Sequence, residues 1–334
     1  MRNRYDMHRM IYLFMLLMCY RSSALAQASP RWQRTMQAGG PDWTLPTDVA
    51  TDKWGNTVVV GYFIGTTAFN TTTLTSRGQS DIFIAKYSAA GALRWIRTAG
   101  GSERDEPYSV VLDNQGTAYV TGGFGGPTAT FGTTVVTSQT GGDAFLASYD
   151  SVGTLRWLRQ ANSSTGFTSG YDLAVDSHRN VYWTGIYSGV GNIAGTPVPA
   201  SATGFGLYLA KLTASGTVRW TRETTGNVGG GGVAFRSHIA VDNQDQLYFT
   251  GTMGSGRFTI GSYVFTNRDA RLWTDDIFLA KYDSLGTVKW AQQLGGTEND
   301  ELISVITTPA GNVVLLANFA GTTQVGGAIS YELW

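Results

Sequence analysis

The chain has 334 residues, 43 of them glycine, and its 24 lysines and arginines balance 24 aspartates and glutamates, so the formal net charge is zero. No basic stripe is present to follow a phosphate backbone, which argues against a nucleic-acid partner, because phosphate contacts supply most of such affinity. Abundant Gly, Thr, Ser, Val and aromatic residues are the composition of short strands joined by tight turns.

The N-terminus differs from everything after it. Arg2, Arg4 and Arg9 precede an apolar run, MIYLFMLLMCY (10–20), and Ala24-Leu25-Ala26 places small residues at −3 and −1 of a cut before Gln27. This is the pattern of a secretory signal peptide over 1–26, and the run is too short to span a bilayer. Met18 is too bulky to precede a lipidated Cys19. Cleavage near Ala26 removes the only cysteine and leaves 20 basic against 23 acidic residues. The expected product is secreted or displayed at a cell surface, has no disulfide and carries no further membrane span.

The rest of the chain repeats. The phrases DIFIAKYSAAGALRW (81–95), DAFLASYDSVGTLRW (143–157), GLYLAKLTASGTVRW (206–220) and DIFLAKYDSLGTVKW (276–290) end in Trp95, Trp157, Trp220 and Trp290, spaced 62, 63 and 70 residues apart. Trp32 lies 63 residues before Trp95, within a lone strand-like segment at 30–39. A period this long, with several strand-like runs per unit, marks a propeller or solenoid array. The units fall at about 47–99, 106–161, 171–223 and 236–293, with a partial fifth at 301–334.

Within the second unit, 107–112 (PYSVVL) and 117–124 (TAYVTGGF) flank the turn DNQG, predicting a hairpin. A long Gly/Thr-rich loop follows, then 143–149 (DAFLASY), a tight turn and 154–160 (TLRWLRQ). Four antiparallel strands in about 60 residues make one propeller blade. Asp52, Asp113, Asp176 and Asp242 open the first turn of each unit, where a carboxylate caps backbone N–H groups or, alternatively, binds calcium. No D-x-[DN]-x-[DN]-G loop supports the calcium alternative. The four tryptophans suit blade-to-blade packing, each ring covering a sheet while its N–H reaches a neighbouring carbonyl.

These phrases resemble the bacterial SBBP-type β-propeller repeat, whose units read GG…D…D-x-x-G-N-x-Y-V-T-G…D…A-K-Y…G…W. Here GGSERDEPYSVVLDNQGTAYVTGGF (100–124) followed by DAFLASYDSVGTLRW carries the likeness, which extends over about 32–325. It implies a secreted or surface-exposed β-propeller, nominally seven-bladed, with no catalytic residues. The expected fold is therefore all-β: a propeller of four-stranded antiparallel blades, four complete plus incomplete terminal blades, not closed within this chain. YDSLGTVKW resembles, more distantly, the strand-turn-Trp element of quinoprotein blades.

The long connections at 64–80, 125–142, 187–205 and 253–275 emerge on the same face as the links between units. They carry Phe69, Phe131, Phe258, Tyr263, Phe265 and Trp273. The links GGSERDE (100–106) and GGTENDE (295–301) add Asp105, Glu106, Asp300 and Glu301. Loops held on a rigid scaffold are where binding residues concentrate, so this face is the candidate ligand site. His178 and His238 belong to no metal-ligand pattern, and no activated nucleophile is recognisable. No catalytic, metal or cofactor residue is assigned. The expected function is a non-enzymatic binding or structural scaffold for a protein or glycan. The alternatives are a polysaccharide-acting or quinoprotein-like propeller enzyme, or a fragment without independent function.

Overall fold

In a computed structural model, each described repeat pairs its strands antiparallel in chain order. The structure describes residues 38–200, 204–226, 237–254, 256–267, 274–296, 298–320 and 324–325. The expected signal peptide, Trp32 and Trp273 lie outside them.

The first repeat comprises Thr44–Thr51, Thr57–Phe63, Asp81–Tyr87 and Leu93–Gly101. The second comprises Asp105–Leu112, Ala118–Gly125, Gly142–Tyr149 and Leu155–Ser163. The third comprises Thr168–Val175, Val181–Ser188, Phe205–Leu212 and Val218–Glu223. The fourth comprises Ser237–Val241, Leu247–Met253, Asp276–Tyr282 and Val288–Gly295. Glu301–Thr307 and Val313–Asn318 form one further pair. In the second, third and fourth repeats the second and third strands are buried along nearly their whole length, because each of these sheets is packed between neighbours. Thr57–Phe63 of the first repeat instead alternates buried and half-buried residues.

The long connections are not irregular loops. Each described one folds into a two-residue-turn hairpin, such as Thr66–Phe69 with Thr72–Thr75 and Thr128–Phe131 with Thr134–Thr137. The first turn residue takes a left-handed φ at Asn70 (52°), Gly132 (61°), Ala194 (51°) and Gly261 (56°), as turns matching strand twist require. Each hairpin reaches back to the preceding repeat. Phe131 pairs with Ala99 at the end of the first repeat's fourth strand, and Ile193 pairs with Ala161 of the second. The outer strand's edge is thereby covered, removing an open ladder that would otherwise recruit other strands.

Tryptophan, arginine and glycine stitch one repeat to the next. Trp95 Nε1 donates to the Ser151 carbonyl at 3.0 Å, Trp157 to Ala214 at 2.8 Å and Trp220 to Ser284 at 3.2 Å. Two residues on, Arg97, Arg159 and Arg222 donate from Nε to the carbonyls of Gly153, Gly216 and Gly286 at 2.7–2.8 Å. Those glycines are required twice over. Each has φ near +80°, and a Cβ on Gly216 would lie 2.7 Å from the Trp157 ring. Among the described residues no helix is long and apolar enough to cross a membrane.

Candidate functional site

The turn aspartates are committed to the fold. One oxygen of each accepts two backbone N–H groups of its own turn, for example Gln115 and Thr117 on Asp113 at 2.9 and 3.0 Å. The other oxygen faces a cation: Lys86 Nζ at 4.0 Å for Asp52, Lys211 at 3.1 Å for Asp176 and Lys281 at 3.6 Å for Asp242. Asp176, His178 and Asp245 are close enough to share a metal ion. Yet Lys211 already occupies Asp176, while Ser177 and His178 occupy Asp245, so an ion would have to displace a buried lysine.

The face expected to bind ligand divides on inspection. Phe69, Phe131 and Phe258 are 2%, 0% and 1% exposed and pack against the rings of Phe83, Phe145 and Phe278 at 4.8–5.1 Å. They are pegs that seat each hairpin on its sheet, so they present no ring to solvent. Tyr263 and Phe265 are half-buried, and the Tyr263 hydroxyl donates to the Lys289 carbonyl at 3.2 Å. Asp105 and Asp300 are fully buried rather than displayed. Asp105 accepts N–H groups of Gly101 and Gly125 at 2.7 and 3.2 Å, and Asp300 those of Gly296 and Ala320, both at 3.0 Å. Both acids anchor a link to the end of a second strand. Burial first, and then the neighbouring Asp81, push the Asp105 carboxyl up to about 7, against the two N–H donors. Glu301 is half-buried and accepts from Asn318 at 3.1 Å.

Of the residues expected on this face, Glu106 lines a cavity. This space, about 220 Å³, opens between the second and third repeats at the end where links and hairpins emerge. Tyr108 (38% exposed) and Phe167 (46%) offer rings, Thr140 and Ser169 offer hydroxyls, and glycines 123, 125, 141, 142 and 166 supply bare peptide. Arg104 Nε pairs with Glu106 at 2.8 Å, and the Tyr108 hydroxyl donates to Glu106 at 3.2 Å, so the charges are internally balanced. The Tyr108 ring also meets Tyr171 of the next repeat at 5.9 Å.

Two glycines make this cavity. Gly123 and Gly142 have no left-handed backbone, and a Cβ on either would meet nothing nearer than Ser169 Oγ at 3.3 Å and the Phe124 carbonyl at 3.5 Å. Contrast Gly122, whose Cβ would strike the Glu106 carbonyl. In the register of the other sheets, Tyr62, Ile186 and Thr252 stand where Gly123 does. Ser80, Phe205 and Asp275 stand where Gly142 does. At Gly123, inside its strand, a Cβ needs only a small shift of the Ser169 hydroxyl, and at Gly142, the first residue of its strand, it meets only ordinary contact. Glycine at such positions often marks close approach of another molecule or backbone. The copies could have disclosed this, since GG at 122–123 replaces GY, GI and GT.

Against known proteins, the chain is 22% identical, over 363 aligned positions, to an uncharacterized WD repeat-containing protein of Acanthamoeba polyphaga mimivirus. The match covers 88% of this chain and 26% of that relative, so the chain spans about a quarter of its length. No protein-family model matches. Among solved structures, the rhamnogalacturonan lyase PL11 of Bacillus licheniformis aligns at 11% identity over 77% of this chain and 54% of that one. The TM-score is 0.25, too low to equate the two folds.

Proposed function

We propose that this chain is an exported β-propeller module that binds a glycan in the cavity floored by Gly123 and Gly142. The tandem four-stranded sheets, the tryptophan-ended period and the WD-repeat relative support a propeller-like scaffold. In that arrangement each repeat is a blade and the fifth pair begins another. The signal-peptide pattern of 1–26 supports export to a secreted or surface location.

The observation that carries binding is the double loss of side chains at one repeat junction. It leaves an amphipathic seat: rings of Tyr108 and Phe167, hydroxyls of Thr140 and Ser169, and a balanced Arg104–Glu106 pair. Such a seat suits a neutral polyhydroxylated ligand, with apolar faces for the rings and hydroxyls for the peptide groups. The test is retention of a panel of neutral oligosaccharides on the immobilised chain and on a variant carrying Gly123→Ile and Gly142→Ser, residues borrowed from the third and first repeats. At least one sugar is retained by the parent and lost by the filled variant. Equal retention by both, or none by the parent, would overturn the assignment.

A further inference from the structure

A second cavity, about 330 Å³, lies at the opposite end of the sheets, between the first-strand turns of the first and second repeats. Its walls include Asp52, Trp54, Lys86, Arg94, Trp95 and Gly116. It too exists because a repeat position is empty. The third residue after each turn aspartate is Gly55, Gly116, Arg179 and Asp245 in successive repeats. At the next junction Arg179 fills the corresponding space and pairs with Asp113 at 2.8 Å. At the one after, Asp245 fills it and accepts from Ser177 and His178. Gly116 leaves it open: a Cβ there would look onto Trp54, Asp52 and Lys86 at 3.4–3.5 Å.

The chemistry of the walls is as particular as their shape. Trp54, 53% exposed, replaces the polar Gln115, His178 and Gln244 of the other turns. Lys53 Nζ lies 4.6 Å from the centre of its ring. Ser88 stands where Asp150 and Asp283 stand in the second and fourth repeats, where they pair with Arg156 at 3.8 Å and Lys289 at 2.6 Å. Arg94, the counterpart of those two cations, therefore has no carboxylate within 4.0 Å among the described residues. Lys86 is shared between Asp52, 4.0 Å away, and the more distant Asp113 and Asp150, which Arg179 and Arg156 already pair. Among the described residues, Arg94 is thus the cation lining this cavity that no carboxylate holds. A guanidinium without a close carboxylate beside a half-exposed indole suits an anion on a flat body.

We infer that this cavity binds a small carboxylate borne on a six-membered ring, the carboxylate meeting Arg94 and the ring lying against Trp54. An acidic sugar and an aromatic acid share that chemistry. The test is titration of the full chain with galacturonate, benzoate and neutral glucose, followed by calorimetry. Parallel titrations use Arg94→Gln, Trp54→Gln and Gly116→Arg, with thermal melts to establish that each variant folds. Saturable binding of galacturonate marks a sugar source, and binding of benzoate alone marks an aromatic one. Glucose binds at least about tenfold more weakly, and Arg94→Gln, a surface change, abolishes that preference. Gly116→Arg, which copies the filled junction, loses binding. Equal affinity for glucose and the acids, unchanged binding by Arg94→Gln, or no binding of either acid would overturn the inference. None of these outcomes bears on the Gly123–Gly142 seat, which lies at the other end of the sheets.

Discussion

Arg179 Nε donates to Asp113 Oδ2 at 2.8 Å across the boundary between the third and second repeats, from a residue held at φ 66°. Its cause is a substitution elsewhere. The second repeat carries Ser148 where the others have Lys86, Lys211 and Lys281. Asp113 is 3% exposed, and without a cation its buried charge would be costly. Arg179 supplies one from the following repeat, accepting a left-handed backbone that Gly55 and Gly116 take in the first two repeats.

Arg179→Gly should therefore destabilise the chain despite relieving the backbone, by about 1–3 kcal/mol, because an unpaired buried carboxylate outweighs the relief. Adding Ser148→Lys should restore most of the loss, which a double-mutant cycle in urea would read. Burial would raise the Asp113 carboxyl, but Arg179 and the turn N–H groups hold it below its ordinary value. Its contribution is therefore complete above pH 4 and fades as pH falls through the lowered folded value.

Asp105 titrates in the opposite sense. Its folded value of about 7 lies above the unfolded 3.8, so between those values the native state holds the extra proton. Stability attributable to this group is greatest below pH 4, declines from about pH 4 to 7 and is flat above. Asp105→Asn should flatten that decline and stabilise the chain at pH 8 by roughly 1–4 kcal/mol. Denaturant midpoints at pH 5 and pH 8 for parent and variant supply the comparison; an unchanged slope would contradict it.

The turn glycines under the tryptophans give a sharper structural forecast. Gly216→Ala combines φ +79° with a Cβ 2.7 Å from Trp157, and should cost at least about 2 kcal/mol. Gly132→Ala shares the positive φ (61°) but meets nothing within 4 Å, so its penalty should be about 1 kcal/mol. Thermal midpoints that rank the two variants the other way would refute the stitch.

Much of this architecture was legible in the repeated phrases. Tryptophan, turn aspartate and turn glycine recur because each makes the same contact at every junction, so spacing alone located the strands. The hairpins were not legible as strands, since runs such as TATF and TVVT are four residues long and the ladder that holds TATF in place is the preceding repeat's Ala99–Gly101, far away in sequence. Buried Phe131 and Asp105 looked like loop residues for the same reason. The cavity between the second and third repeats was not legible because it is made by absence: Gly123 and Gly142 matter only beside the Ile186 and Phe205 of another copy.

The most direct measurement is the affinity of a retained neutral oligosaccharide for the parent and for Gly123→Ile, compared at matched folded fraction by calorimetry. The added side chain should occupy the seat and weaken binding at least about tenfold while leaving the thermal midpoint within a few degrees. Undiminished affinity in the filled variant would contradict the assignment of the cavity as the ligand site.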